Sequence, residues 1–208
     1  MRHVERRLVF DVPALLQAIA KSVNKPYDSI LKFSKIAEGG SYRVFEAVFR
    51  DGLPVIARLP YPCTVPRSFG VASEVATMEF LRVQGIPVPQ IFDWSSSTTN
   101  SVGSEYIITT RVEGQELEHT WYTMDLKERM SMVEKIVDLE SKLFQIQLPA
   151  NGSLYHTSFL ESQGMTKIPF RSADTNVDKF CIGLSTEYLW WYRGREELAV
   201  NRGLCMPT

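Results

Sequence analysis

Three pieces of this chain combine residue types and spacing that could hold an anion. The first is Gly39-Gly40-Ser41, set between two β-prone runs, where residues with little or no side chain let backbone amides approach phosphate oxygens. Alone, a Gly-Gly pair in a hairpin is an ordinary turn, and this spacing matches neither a Walker loop nor a dinucleotide fingerprint. The second is Arg58, which interrupts the apolar run Val55-Ile56-Ala57-Arg58-Leu59, so its guanidinium must reach an edge or find a partner. The third is Glu74, one helical step from Val71, Met78 and Leu81 and therefore on or beside an apolar stripe, where an unpaired carboxylate is costly to bury. Paired at the mouth of the glycine turn, Arg58 and Glu74 would aim a cation at nucleotide phosphates; the alternative is two independent surface charges.

Elements that could position these residues are readable around them. Asp11 and Pro13 open a helix over 11 to 23, with Asp able to cap and Pro tolerated in the first turn. Residues 31 to 38 and 42 to 49 are β-rich runs joined by the glycine turn, and Arg50-Asp51-Gly52 gives a hairpin signal before a third run, 53 to 59. Pro60, Pro62 and Pro66 make the next stretch a loop. A helix carrying Val71, Val75, Met78, Phe80 and Leu81 then closes at Gly85, ahead of Pro87 and Pro89. Strands over 90 to 94 and 105 to 110 flank a Ser/Thr-rich surface turn, which gives the order β-β-β-α-β-β.

Beyond Val112-Glu113-Gly114 the pattern changes. Met132, Ile136, Leu139, Leu143 and Ile146 recur at alternating spacings of four and three, predicting a long core helix that ends at Pro149-Ala150-Asn151-Gly152. The tail is mixed, with residues 180 to 192 its richest apolar stretch. Tyr188, Trp190, Trp191 and Tyr192 beside Arg193 and Arg195 fit core packing better than a stacking platform for nucleic acid. Asp174 and Asp178 read as solvated surface acids.

Composition narrows the field. The chain has 208 residues, and its 23 Lys plus Arg against 24 Asp plus Glu create no global field for nucleic acid or an anionic membrane. Cys63, Cys181 and Cys205 are odd in number and far apart, fitting reduced intracellular thiols rather than a disulfide framework or a zinc site. No apolar run approaches the roughly 20 residues that span a bilayer. Arg2, Arg6 and Arg7 carry a hint of a mitochondrial presequence, but Glu5 and the early onset of structure favour an ordinary solvated terminus.

In order along the chain, Glu38-Gly-Gly-Ser-Tyr-Arg-Val-Phe45, Val55-Ile-Ala-Arg-Leu-Pro60, Ser73-Glu-Val-Ala-Thr-Met78, Ile86-Pro-Val-Pro89 and Tyr106-Ile-Ile-Thr-Thr-Arg-Val-Glu-Gly114 resemble the N-terminal lobe of aminoglycoside phosphotransferase-like, protein-kinase-like proteins. Gly152-Ser-Leu-Tyr155, Cys181-Ile-Gly183, Trp190-Trp191 and Gly203 are similar to the fungal branch related to a protein of mitochondrial inheritance. The resemblance implies an α+β fold: an N-terminal extension and helix over 1–27, a five-stranded antiparallel lobe with one helix over 28–113, and a partial helical lobe over 114–208.

It also implies roles. Gly39, Gly40 and Ser41 would cover the phosphates of ATP, Arg58 would stand where the family has a strand lysine, and Glu74 would be its ion-pair partner. The Thr110 carbonyl and Val112 amide would meet adenine. Arg at position 58 departs from the general pattern, since a planar fork is not the geometric equivalent of an ammonium. His3, His119 and His156 are not followed two residues later by Asp, so no catalytic loop or magnesium-binding Asp is assigned. The expectation is a C-terminally truncated family member: phosphoryl transfer to a small-molecule hydroxyl by family, no turnover by this chain alone, or else a non-catalytic pseudokinase-like scaffold. The cysteine usage and the lack of a long apolar run make a soluble, intracellular protein the default expectation, and the resemblance adds mitochondrial residence as the alternative to the cytoplasm.

Overall fold

The structure is a computed structural model that describes residues 6–170 and 178–203. His3, Asp174, Cys205 and the presequence-like residues 1–5 lie outside the described residues. Helix α1 (Val12–Ser22) starts where Asp11 accepts the Ala14 N–H at 2.8 Å. It is followed by β1 (Ile30–Glu38), β2 (Tyr42–Phe49), β3 (Pro54–Pro60), helix α2 (Phe69–Val83), β4 (Ile91–Ser95) and β5 (Tyr106–Thr110). The strands form one antiparallel sheet in the order β1-β2-β3-β5-β4, the α+β lobe expected from sequence.

Period-two alternation gives this sheet two different faces. On one, Phe45, Ala47, Phe49, Val55, Ala57, Leu59, Tyr106 and Ile108 pack with Leu15 and Ile19 of α1. On the other, Ile107 packs with Val71 and Val75 of α2.

Two helices, α3 (Leu117–Trp121) and α4 (Leu126–Gln145), follow, and then β6 (Ser153–His156), α5 (Thr157–Ser162), β7 (Ile168–Pro169) and β8 (Phe180–Gly183). The last three strands form a second antiparallel sheet, β6-β8-β7, which the reading of a mixed tail in a helical lobe does not anticipate. Helix α2 lies between the two sheets: Val71 and Val75 face the large one, while Ala72, Ala76 and Phe80 meet Leu154, Tyr155, Phe180, Cys181 and Ile182 of the small one. A helix covered on two sides needs apolar residues on two sides, which is why its stripe is broad.

The long helix predicted around Met132 to Ile146 is present, but its placement in the core is corrected. A reciprocal capping box starts α4, with the Glu128 N–H donating to Asp125 at 2.8 Å and the Asp125 N–H donating to Glu128 at 2.9 Å. None of its residues is buried, and Met130, Val133, Ile136, Val137 and Phe144 are exposed, Phe144 to 88%. Apolar periodicity reports that a helix is amphipathic; it does not report what covers it. Near its C-terminal end Leu143, with Ile146 and Leu148 just beyond the helix, lines a cavity of about 420 Å³ with Phe80, Leu154 and Ile182.

An environment-sensitive dye should therefore bind the native chain. Val137→Glu combined with Phe144→Glu should remove most of that signal while changing stability by no more than about 0.5 kcal/mol, as read by fluorescence and urea melts. In the tail, Trp191 is a core residue whose indole N–H donates to the Ser185 carbonyl at 2.8 Å, whereas Tyr188, Leu189 and Trp190 are about half exposed. Core packing thus accounts for one of those rings and not for the set.

Candidate functional site

Arg58 and Glu74 come together on the face of the large sheet that α2 covers, and Tyr42, the residue that follows the glycine turn, joins them. Tyr42, Val44 and Glu46 of β2 alternate with the α1-facing residues, and Val44 is the cross-strand neighbour of Arg58. The Arg58 Nη1 lies 2.6 Å from Glu74 Oε1, so the two charges are a pair rather than independent surface groups. The Tyr42 hydroxyl donates to the other carboxylate oxygen at 2.5 Å, and the Arg58 guanidinium carbon sits 4.5 Å from the Tyr42 ring centre. Burial first, then the Glu74 charge, pushes the Tyr42 hydroxyl up, so it stays protonated and donating. Side-chain exposures of 29% and 28% leave Arg58 and Glu74 partly screened, and the net contribution of such a pair to stability is on the order of 1 kcal/mol.

Helix α2 points Glu74 at this spot because its own start is fixed. Glu105, 7% exposed and just ahead of β5, accepts the Ser68 N–H at 2.5 Å, setting a carboxylate at the positive end of the helix. Burial raises the Glu105 carboxyl, opposed by the Ser68 amide and the Arg67 charge.

The turn itself is held from both ends. The Gly39 N–H donates to the Tyr42 carbonyl at 2.9 Å, and the Ser41 carbonyl accepts the Tyr61 N–H and the Thr64 hydroxyl, each at 2.9 Å. Neither Gly39 nor Gly40 has positive φ, and a Cβ on Gly40 would meet nothing within 4 Å. Backbone conformation therefore does not demand glycine at position 40; what glycine leaves there is open space over the amides.

At the other end of the sheet, Thr110 closes β5. Its N–H donates to the Gln90 carbonyl at 2.9 Å, and its hydroxyl accepts the Gln90 N–H at 3.0 Å. Val112, two residues on, is 68% exposed. Between them Arg111 reaches back to β2, its Nη1 lying 2.5 Å from Oε1 of Glu46, a residue 7% exposed. Sequence reasoning missed this anchor, although a Glu inside the run Tyr42–Phe49 was a signal of the same kind as Arg58. The candidate residues line neither of two cavities, which lie under α4 and beside Trp191.

One further cluster joins the two sheets. His156 of β6 stacks between Trp94 and Phe180, at ring separations of 6.4 and 5.2 Å. Its Nε2 is 3.6 Å from Glu79 of α2, which also receives Lys179 Nζ at 3.3 Å. Burial lowers the His156 pKa, Glu79 opposes that, and Lys179 adds to it. A depressed folded value favours neutral imidazole, so this contribution to stability is complete above the ordinary value of about 6.5 and is lost as pH falls through the lower folded value. The wild-type midpoint should drop from pH 7 to pH 5 more steeply than that of His156→Gln in parallel thermal melts.

No family model matches the chain. Over 173 residues, 83% of the chain, it is 39% identical to a subtelomeric hrmA-associated cluster protein of Aspergillus fumigatus, of which it spans 32%. It is 26% identical over 84% of its length to altered inheritance of mitochondria protein 9, mitochondrial, of Yarrowia lipolytica, again spanning 32% of that protein. The chain thus covers about a third of the length of these curated relatives. A crystal structure of a candidate aminoglycoside phosphotransferase from Ralstonia eutropha aligns with 51% of this chain and 29% of its own, at 18% identity and a TM-score of 0.37. Over most of its length the chain is thus similar to about a third of a fungal hrmA-associated cluster protein and of altered inheritance of mitochondria protein 9.

Proposed function

We propose that the chain holds a nucleotide, ATP, along the α2-facing side of the large sheet, as the nucleotide-gripping part of a phosphotransferase acting on a small-molecule hydroxyl. The observation that carries this reading is the Arg58–Glu74 pair at 2.6 Å, braced by Tyr42 beside the glycine turn. In this reading the turn Gly39-Gly40-Ser41 covers the phosphates, with the Gly39 amide spent on the Tyr42 carbonyl and the Gly40 and Ser41 amides turned to the ligand, Arg58 supplies the cation, and Glu74 fixes its direction. The Thr110 carbonyl and Val112 amide meet the base. Arg58 pairs with Ile107 and Val55 with Thr110, so guanidinium and connector are three residues, about 10 Å, apart along the sheet, a span suited to a nucleoside.

Among the described residues no group of three His, Cys, Asp or Glu side chains gathers as a metal site. In this reading the chain grips and orients phosphates, and none of its residues is assigned to proton transfer or magnesium binding. Turnover by the chain alone is not expected. Residence in mitochondria, the compartment in the name of the Yarrowia relative, belongs to the same proposal, and cell fractionation tests it.

Magnesium ATP should raise the thermal midpoint of the wild-type chain. Arg58→Ala should remove most of that shift, equivalent to a loss of about tenfold or more in affinity. Gly40→Ala should leave the unliganded midpoint unchanged, because its Cβ meets nothing within 4 Å, yet reduce the shift by crowding the amides. Absence of any shift would favour the second reading, a non-catalytic interaction scaffold, which the open apolar face of α4 supports. ATP-dependent phosphorylation of a hydroxyl acceptor, abolished by Arg58→Ala, would overturn the expectation of no turnover.

A further inference from the structure

We propose that the back of the glycine turn is a second anion site, distinct from the Arg58–Glu74 pair, that takes a small phosphate-bearing anion of at least two negative charges. Neighbouring residues of a strand point to opposite faces, so Tyr42 reaches Glu74 on one side of the sheet while Arg43 points to the side where α1 packs. There Glu38, the last residue of β1, accepts three donors. Lys35 Nζ lies 2.7 Å from its Oε2, Arg43 Nη2 lies 3.1 Å from its Oε1, and the Tyr61 hydroxyl donates to Oε1 at 2.5 Å. Arg6, ahead of α1, donates to the Gly39 carbonyl. The guanidinium carbons of Arg6 and Arg43 sit 4.6 and 5.7 Å from the centre of the Tyr61 ring.

Lys35 and Arg43 hold a single carboxylate while Arg6 is tied to the Gly39 carbonyl next to it, which leaves positive charge in excess. Glu38 engages one donor of each of its partners, and the fork of a guanidinium and the head of an ammonium carry more. Among the described residues Arg43 Nε is buried without any hydrogen-bond partner, an unsatisfied donor of the kind an oxyanion settles when the side chain turns toward it. Lys35, then Tyr61 and Arg43, push the Glu38 carboxyl down to about 2, so the local field favours negative charge throughout the neutral range. Glu38 is thus the chain's own occupant of a site built for anions, and an incoming phosphate competes with it for the outer donors.

A purely structural brace of the turn makes the opposite prediction for one substitution, and this decides the matter. Sodium tripolyphosphate is titrated calorimetrically, at constant ionic strength in chloride, into the full chain carrying Arg58→Ala, which removes the cation of the proposed nucleotide site. Binding is expected to persist in that background, to weaken about fivefold with Lys35→Gln and again with Arg43→Gln, and to tighten with Glu38→Gln, which removes the internal competitor while keeping its shape. Lys35 is half exposed, so its replacement leaves the fold intact even if that of Arg43 does not. Loss of tripolyphosphate binding with Arg58→Ala alone, indifference to Lys35→Gln, or weakening by Glu38→Gln would each overturn the proposal. The outcome is independent of whether ATP binds the other face.

Discussion

Replacing Gly152 by Ala should destabilise the chain by about 3 kcal/mol or more, because it adds a backbone clash to a conformation that side chains rarely adopt. Gly152 has φ +152°, and a Cβ there would lie 2.3 Å from the Gly183 carbonyl oxygen and 2.7 Å from Ile182 Cγ2. The carbonyl cannot swing aside, since Gly183 ends β8 and is paired with Ser153 of β6. Gly183→Ala should be milder, because its nearest obstacles, Leu160 Cδ1 at 2.5 Å and Tyr155 Cδ2 at 2.9 Å, are side-chain atoms that can shift at some cost. Urea melts of the two variants against wild type check the ranking, and equal destabilisation would mean that the backbone at 152 yields more readily than its pairing implies.

This contrast marks where the sequence is informative. Helix α1 and the five strands of the large sheet are legible because local chemistry sets them: the Asp11 cap, the glycine and Arg-Asp-Gly turns, and alternation with one face packed on a helix. The small sheet is hidden because β6, β7 and β8 hold four, two and four residues, too few for alternation to register, and β8 is buried at every position. In the candidate site, Arg58 and Glu74 are conspicuous as charges in apolar settings, and the pair they form follows from that cost. The Glu46–Arg111 contact gave the same sign on one side only, since Arg111 lies in a connector where an arginine raises no question. The cluster around Glu38 could not be read at all from spacing, because Arg6, Lys35, Arg43 and Tyr61 meet only once the hairpin and the N-terminal segment are folded.

Phe80→Ala should cost about 3 to 5 kcal/mol, the range for emptying an aromatic site in a packed core. Phe80 is 3% exposed and meets Phe180 edge to face at 5.4 Å and Phe170 at 5.2 Å. Its partners belong to the small sheet and the segment beside it, whereas Glu74 is held from the large sheet through Tyr42, Arg58 and the packing of Val71 and Val75 on Ile107. The loss should therefore fall unevenly. Amides of residues 153–156 and 180–183 should exchange with solvent much faster in Phe80→Ala, while those of 44–48 and 55–58 remain protected. If the variant keeps its ATP-dependent thermal shift, the nucleotide-holding geometry is a property of the large sheet with α2. If protection falls equally in both sheets, α2 is not an independent mount for Glu74 but the hinge of one cooperative unit, and Arg58 loses its aligned partner whenever the small sheet opens.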